Sequence, residues 1–300
     1  MANNEVLAVD LGQSGCRIKQ GDLLITSDRG KLAGETPLAS LRAVFESTQK
    51  VSADVVALAL TGLNGSVQET ETYEQLCAQY FGATQVAVID DGFASFVGAL
   101  KGRNGVVLTV GGGVVSIGGL NENFAHRDGL GSTFGDEGGG FWLGKAGITK
   151  ALAANQGRHD DPELAAYFQD DIDRYYRLSV CDGAEAQTFA INAAKKVLEA
   201  ADAGISTATA IVDEGAYLLA QTVIATWYGC GGAKNDSPEI VIQGGPARNS
   251  TYATKIALEV NAKLPNAVVV QSSGDNLDGA TWIANNMRQD APPLLLWAGL

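Results

Sequence analysis

A glycine-bearing strand–turn–strand pattern occurs twice in this chain and limits the fold more than any other feature. The first copy covers Val6–Lys19, with its turn at Leu11–Gly15, and the second covers Val106–Ile117, with its turn at Gly111–Gly113. In both copies apolar residues run into the turn, and the strand after the first turn alternates apolar and polar residues. A repeat at this spacing is too long for a solenoid and predicts two duplicated domains.

The length of 300 residues suits two domains, and we place the boundary after Asn104, giving domains 1–104 and 105–300. In the first domain, strands at Val55–Leu60 and Val86–Ile89 flank a helix-like stretch at Glu69–Tyr80, which predicts an α/β fold with a partly parallel sheet. The second domain is predicted to be helix-rich, with its final helix able to pack back on the first. Its predicted helices are Gly144–Asn155, Pro162–Tyr176, Ala184–Ala203, Ile205–Tyr228, Ser250–Asn261 and Asp278–Asn286, with strands at Glu239–Ile242 and Ala267–Val270.

Composition argues against several classes of function. The formal net charge of −13 would repel nucleic acid and anionic membranes. The four cysteines, Cys16, Cys77, Cys181 and Cys230, form no Cys-x-x-Cys pair, so neither a zinc site nor an iron–sulfur site is predicted. With no signal-like start and no apolar run long enough to span a bilayer, we expect a cytoplasmic protein.

Glycine clusters follow strands at several places, where backbone N–H groups can approach phosphate oxygens closely. A lone cluster of this kind is better explained by a tight turn or a helix cap than by phosphate binding, but several in similar contexts favour phosphate binding. No Gly-x-x-x-x-Gly-Lys-Ser/Thr run is present, so the chain has no P-loop. The clusters are Gly12/Gly15, Gly111–Gly113, Gly138–Gly140 and Gly244-Gly245.

Acidic residues stand at three informative points. Asp10 ends the first strand and could orient the waters of a divalent cation. Asp90-Asp91 ends another strand before a helix-like stretch, so each is either a helix N-cap or a base for a hydroxyl proton, and two adjacent Asp residues allow one of each. Asp136 and Glu137 lie in a glycine-rich segment, where they could accept hydrogen bonds from sugar hydroxyls.

Together these segments resemble the motifs of N-acetylglucosamine kinases of the BadF/BadG/BcrA/BcrD ATPase group, within the actin-like superfamily of sugar kinases. The resemblance spans nearly the whole chain. Its most specific element is the Gly-Asp-Glu-Gly run followed by an aromatic pair. The matching segments are Asp10–Ser14, Asp90–Ser95, Gly111–Gly113, Gly129–Gly138 and Ile242–Gly245.

The resemblance implies two duplicated actin-like, ribonuclease H-like domains with a nucleotide cleft between them. It implies that ATP and Mg²⁺ are cofactors and that Asp91 is the catalytic base that also contacts the substrate hydroxyl. Asp10 would help to place the metal, and Asp136 and Glu137 would contact the sugar. The implied nucleotide-binding residues are Gly12, Gln13 and Ser14, then Gly111, Gly112 and Gly113, and finally Gly244 and Gly245.

The chain departs from the family pattern at three places. Leu11 replaces a glycine of the first turn. Gly112 and Val114 stand where the second turn usually carries Thr and Ser, and this removes two hydroxyl groups. The usual Gly-Pro-x-Asn loop is absent from the stretch Gly34–Pro37. These departures leave the identity of the sugar open.

The expected function is transfer of the γ-phosphoryl group of ATP to a hydroxyl of a small sugar, such as N-acetylglucosamine, in a protein compatible with a homodimer. Two alternatives stay open at this point. One is an ATPase that activates a partner enzyme, against which the cysteine spacing argues. The other is a sensor that binds nucleotide or sugar without turnover, which the residues at Gly112 and Val114 allow.

Overall fold

The computed structural model describes residues 6–32, 34–49, 51–178 and 183–299 and divides the chain into two compact units. The first unit contains the chain up to Asn104 together with the segment from Gln271 onward, and the second contains Gly105–Val270. The assignment of 105–300 to one second domain therefore needs correction, because residues from Gln271 onward belong to the first unit. Within the described ranges, no helix is long and apolar enough to cross a membrane.

The first unit is built on a mixed sheet. Strand β1 pairs antiparallel with β2 and parallel with β4, and β4 pairs parallel with β5. All residues of β1 and β4 are buried, as expected for central strands covered on both faces. Its amino-terminal elements are β1 (Leu7–Leu11), β2 (Cys16–Gln20), β3 (Leu23–Ser27), α1 (Pro37–Ser47), β4 (Val55–Leu60), α2 (Glu71–Phe81), β5 (Gln85–Asp90) and α3 (Asp91–Leu100).

The second unit repeats this arrangement with more helices. Strand β6 pairs antiparallel with β7 and parallel with β9. The stretch Pro162–Tyr176, expected as one helix, is two, because helix α5 ends before Phe168 and α6 begins after it. The elements are β6 (Gly105–Val110), β7 (Val114–Leu120), β8 (Asn123–Asp128), α4 (Gly140–Asn155), α5 (Pro162–Tyr167), α6 (Gln169–Leu178), α7 (Gly183–Asp202), α8 (Ser206–Gly229), β9 (Glu239–Gln243), a 3₁₀ turn (Pro246–Arg248), α9 (Ser250–Lys263) and β10 (Val268–Val269).

The chain then returns to the first unit with α10 (Asn276–Asn286) and β11 (Leu295–Ala298), and β11 pairs antiparallel with β5. Helix α10 packs closely on α3, where two glycines allow the contact. A side chain at Gly98 would collide with the Asp275 carbonyl oxygen, and one at Gly279 would collide with that of Ala94. The predicted final helix is confirmed and begins two residues before its predicted start. Strand β11 was not predicted.

The two sheets share one strand order. The first sheet reads β11-β5-β4-β1-β2-β3, and the second reads β10-β9-β6-β7-β8. Without β11, both place a three-stranded antiparallel meander beside two parallel strands in the same sequence order. This agreement is the structural counterpart of the repeat in the sequence. Each unit has its own core, built in the first around Leu7, Val9 and Leu58 and in the second around helices α4, α7 and α8.

Candidate active site

The first glycine turn joins β1 to β2 and is closed by a hydrogen bond from Gly12 N–H to the Gly15 carbonyl oxygen at 2.9 Å. Gln13 and Ser14 are exposed at its tip. The turn is backed tightly by the chain that follows β3. A Cβ at Gly15 would lie 2.7 Å from the Ser27 carbonyl oxygen, and one at Gly30 would collide with the backbone of Gln13 and Gly15. Glycine is therefore needed on both sides of this contact.

Asp10, the residue before the end of β1, is only 8% exposed and is held by two neighbours. Its Oδ2 accepts hydrogen bonds from Arg17 Nη2 at 2.6 Å and from Arg17 Nε at 3.1 Å. Its Oδ1 accepts one from Asn276 Nδ2 at 3.1 Å. The carboxylate that was expected to help place a metal is thus already neutralised by a guanidinium group.

Asp90 caps helix α3. Its Oδ1 accepts from the N–H groups of Gly92 at 3.0 Å and Phe93 at 3.3 Å, and its Oδ2 accepts from Gly65 N–H at 2.9 Å. Both oxygens therefore have structural partners, as N-caps do. Of the two roles considered for the Asp90-Asp91 pair, Asp90 performs the capping, and Asp91 is available for another role.

Asp91, the first residue of α3, accepts hydrogen bonds from its neighbour's amide, Gly92 N–H at 2.9 Å, and from the Thr61 hydroxyl. Burial, together with the negative charges of Asp90 and Asp10, raises its pKa to about 7 against the lowering effect of the two hydrogen bonds. A carboxylate with a pKa near the operating pH is suited to accept a proton and to release it again.

These groups meet at one edge of the first sheet. Strands β1, β4 and β5 run parallel, with Leu11 opposite Leu60 and Leu60 opposite Asp90. Their carboxyl ends therefore present the first glycine turn, Thr61 and Asp91 side by side. In open α/β sheets this is the edge at which ligands bind.

The second glycine turn, between β6 and β7, is tied to the start of α4. Gly111 N–H donates to the Gly113 carbonyl oxygen at 2.8 Å, and the carbonyl oxygens of Gly111 and Gly112 accept from Gly140 and Phe141 N–H at 2.8 and 2.9 Å. A Cβ at Gly112 would lie 2.9 Å from Ile191 Cδ1. The threonine common in the family therefore has no room here unless Ile191 moves.

Asp136 lies directly under this turn. Its Oδ1 accepts from Val114 N–H at 2.8 Å, and a Cβ at Gly113 would lie 2.6 Å from its Oδ2. Its own N–H donates to Asp128 Oδ1 at 2.9 Å. Burial and the charge of Asp128 raise the pKa of Asp136, while the bond from Val114 lowers it. Glu137, next in the chain, is exposed and makes no hydrogen bond within the described ranges.

A cavity of about 730 Å³ opens beside the second turn, within the size range of small-molecule sites. Its lining includes Gly111 and Gly112 as well as Gly245 and the 3₁₀ turn after β9. One wall is helix α7, from Ile191 to Glu199. The cavity thus joins two of the glycine clusters noted in the sequence.

The two glycines at the end of β9 differ in their surroundings. Gly244 has a φ of +108°, and a Cβ there would collide with the backbone of Val110. Gly245 has a φ of −58° and open space where its Cβ would be. Gly244 is therefore required by the backbone, whereas Gly245 borders the cavity without structural need for glycine.

The donor set suits Mg²⁺ only in company with a nucleotide. Among the residues that the structure describes, no group of three His, Cys, Asp or Glu side chains could hold a metal ion. Mg²⁺ in ATP sites is commonly bound by one or two carboxylates plus phosphates and waters, so such a cage is not needed. Asp10 fits this mode, because its Oδ1 has a single described hydrogen bond and can accept another from a metal-bound water.

The described cysteines offer no cluster site. Cys16, Cys77 and Cys230 are free and buried, and burial raises the thiol pKa of Cys16 and Cys77 to about 12. Thiols with such a pKa stay protonated and are poor metal ligands. Cys181 lies outside the described residues.

Residues 27–282 match the model of the BadF/BadG/BcrA/BcrD ATPase family. The chain belongs to this family. The match begins after the first glycine turn and includes Asp91, the second turn, Asp136 and Gly244-Gly245. No curated protein matches the chain.

Several solved structures share the fold of this chain. A candidate N-acetylglucosamine kinase from Chromobacterium violaceum superimposes with a TM-score of 0.66 at 20% identity, covering 94% of this chain and 99% of that one. A candidate N-acetylglucosamine kinase from Porphyromonas gingivalis gives 0.59 at 17% identity, with coverage of 94% and 99%. A ROK family glucokinase from Streptomyces griseus, in complex with glucose and AMPPNP, gives 0.56 at 17% identity, with coverage of 95% and 100%.

Several residues of the site escaped the sequence analysis. Thr61 follows β4 directly, so its place at the carboxyl edge beside Asp91 could have been found from the strand order. Arg17 lies opposite Asp10 in the first hairpin, and its register follows from the turn length. Asn276 and Asp128 had no such signal, because their contacts depend on long-range packing.

Proposed function

We propose that this protein is an ATP-dependent kinase that transfers the γ-phosphoryl group to a hydroxyl of a small sugar. The observation that carries the proposal is the separation of roles between two adjacent carboxylates. Asp90 is consumed by capping, while Asp91 stands at the carboxyl edge beside the first glycine turn. Because Asp90 already caps α3, the carboxylate of Asp91 is not needed for capping.

In the proposed reaction, Asp91 accepts the proton of the attacking hydroxyl as that oxygen forms a bond to the γ-phosphorus and ADP leaves. Thr61 holds the carboxylate in place through its hydroxyl. The backbone of Gly12–Ser14 and of Gly111–Gly113 binds phosphate oxygens, and the cavity bordered by Gly245 takes the adenosine. Phosphoryl transfer depends chiefly on positioning and charge stabilisation, which rigid turns of this kind supply.

Mg²⁺, when bound with ATP, would neutralise phosphate charge, and Asp10 would hold it through a water molecule. Arg17 keeps Asp10 oriented for this purpose. On the sugar side, Asp136 has one oxygen engaged by Val114 and would use its remaining acceptor capacity for a hydroxyl. Glu137 is exposed and free to add a second acceptor. An amino sugar such as N-acetylglucosamine is the proposed substrate class.

The test is ADP release with ATP and Mg²⁺ in the presence of N-acetylglucosamine, glucosamine, glucose or no sugar. We expect one sugar to stimulate turnover and Asp91→Asn to lower kcat by roughly 10²–10⁴. The matched control is Asp22→Asn, which removes one exposed carboxylate from the turn after β2. Equal turnover with and without sugar would indicate an ATPase instead, and near-normal activity of Asp91→Asn would remove Asp91 from the role of base.

A further inference from the structure

Lys31 is tied to the first glycine turn, although nothing in the sequence motifs marks it. Its backbone N–H donates to the Gly12 carbonyl oxygen at 2.9 Å. The preceding residue, Gly30, packs against the backbone of Gln13 and Gly15 with no room for a side chain. The position of Lys31 relative to the turn is therefore fixed by main-chain contacts of Gly30 and of Lys31 itself.

Its side chain crosses the end of β4. The Cε atom of Lys31 occupies the space that a side chain at Gly62 would need, and the Nζ atom lies 3.2 Å from the position of a Cβ there. Gly62 follows Thr61, whose hydroxyl bonds to Asp91. The ammonium group is thus held at the same carboxyl edge as the first glycine turn and the proposed base.

This ammonium group differs from the other cations of that region in having no described partner. Arg17 pairs with Asp10 and Asp275, Arg29 pairs with Glu35, and Lys19 lies 3.6 Å from Asp278. Lys31 is half-buried, and within the described ranges its Nζ makes neither an ion pair nor a hydrogen bond. An ammonium group at this edge with no described anion is available to pair with an anion of a ligand.

The excess of acid in the chain sharpens this point. With 34 Asp and Glu residues against 21 Lys and Arg, anionic partners outnumber cations, yet none is placed on Lys31. The ammonium group of Lys31 at the carboxyl edge is therefore suited to pair with an anionic group of a ligand.

We propose that Lys31 binds an oxyanion of the ligand beside Asp91. This inference rests on the proposed function and adds to it. The oxyanion has two chemical sources: a carboxylate on an acidic sugar, or the terminal phosphoryl group of ATP. An ammonium group bonds either through charge-assisted hydrogen bonds.

Binding measurements by calorimetry separate the two sources without requiring turnover. The sugar arm compares N-acetylmuramic acid with N-acetylglucosamine, and glucuronic acid with glucose, since the first member of each pair carries a carboxylate that the second lacks. The nucleotide arm compares AMPPNP with ADP, which differ by the terminal phosphoryl group. Both arms use wild-type protein, Lys31→Gln, Lys31→Arg and the control Arg42→Gln, which removes an exposed positive charge from helix α1.

If the sugar is the source, wild type prefers the carboxylated member of at least one pair by about tenfold, and Lys31→Gln removes the preference. If ATP is the source, Lys31→Gln lowers the preference for AMPPNP over ADP by about tenfold and leaves the sugar ratios unchanged. Lys31→Arg retains the effect in either case, and unchanged binding of the uncharged sugars and of ADP by Lys31→Gln excludes misfolding as the cause of its loss. If the affinity ratios within the sugar pairs and between AMPPNP and ADP are the same in Lys31→Gln as in Arg42→Gln, the proposal is overturned.

The failure of the kinase proposal would look different. In that case no sugar stimulates ADP release, whereas the binding ratios still report on Lys31. Conversely, if a sugar stimulates ADP release but Lys31→Gln leaves the affinity ratios unchanged, the proposed kinase function stands and only the role of Lys31 is wrong.

Discussion

Asp10 and Arg17 lie opposite each other on β1 and β2, and two nitrogens of the guanidinium group bond to one carboxylate oxygen of Asp10. The remaining nitrogen, Nη1, bonds to Asp275 Oδ2 at 2.6 Å, at the residue that caps α10. A single side chain thus connects the proposed metal-holding carboxylate to the carboxyl-terminal segment of the same unit. The return of the chain to the first unit therefore contributes directly to the site.

Arg17→Ala should destabilise the protein and weaken its response to Mg²⁺. It leaves the buried Asp10 with Asn276 as its described partner, and loss of hydrogen bonds to a charged group costs about 1–3 kcal/mol. Urea unfolding measures the loss, and a Mg²⁺ titration of ATP binding measures the effect on the site. Lys19→Ala, which removes the longer 3.6 Å pair with Asp278, is the control and should change both quantities little. Equal effects of the two variants would contradict a special role for Arg17.

The raised pKa of Asp91 predicts activity that increases with pH. Below its pKa of about 7 the carboxyl group is protonated and cannot accept a proton, so kcat/KM should rise through that pH and level off above it. A profile of kcat/KM between pH 5 and 9 is the measurement, with Asp22→Asn as a control of unchanged profile. A profile flat across pH 7 would show that the ionisation of Asp91 does not govern the reaction.

The same carboxyl group should make stability fall as pH rises. Because its folded-state pKa is raised, the folded protein binds this proton more tightly than the unfolded chain does, and the contribution is lost between about pH 4 and 7. Asp91→Asn has no charge to bury at this position. Its free energy of unfolding minus that of wild type should therefore increase from pH 4 to pH 8. Thermal unfolding at both values of pH compares the two proteins. A constant difference would indicate that the ionised Asp91 is well solvated.

Gly244 and Gly245 should respond differently to alanine. Gly244→Ala places a Cβ in the left-handed region against Val110, and we expect a loss of about 2–4 kcal/mol in the free energy of unfolding. Gly245→Ala meets no atom and should fold normally, but its methyl group stands at the border of the cavity. Its ATP affinity should therefore fall several-fold at unchanged stability. Normal ATP binding by Gly245→Ala would move the adenosine away from this residue.

The sequence predicted those parts of the fold that rest on local patterns. The strands Val55–Leu60 and Glu239–Ile242 were predicted to within a residue, because runs of buried apolar residues mark central strands. Strand β3 was missed although it opens with the apolar run Leu23-Leu24-Ile25; it lies at the edge of its sheet, and its side chains are exposed or only half-buried. Strand β11 was missed because only its pairing with β5, some two hundred residues earlier, identifies it.

The site divides in the same way. The glycine turns and the Asp90-Asp91 pair are local motifs, and the sequence identified them. Which aspartate caps α3 depends on side-chain geometry, including the amide of Gly65 that reaches Asp90 from another loop. The reason for glycine at position 112 is likewise remote, because Ile191 of helix α7 fills the space that a side chain would need. Contacts of this kind come from packing between distant segments and leave no trace in the local sequence.

Asp136 allows a structural role to be separated from a role in sugar binding. Asp136→Ala removes the acceptor for Val114 N–H, and an unsatisfied amide costs about 1–3 kcal/mol, so this variant should be destabilised. Asp136→Asn keeps a carbonyl oxygen for that bond while losing the charge, so its stability should stay close to that of wild type. If the carboxylate also accepts a hydrogen bond from the sugar, KM for the sugar should rise about tenfold in Asp136→Asn while KM for ATP is unchanged. If Asp136→Asn keeps wild-type KM values for both the sugar and ATP, Asp136 only supports the second glycine turn. Glu137, exposed beside it, would then be the next residue to replace.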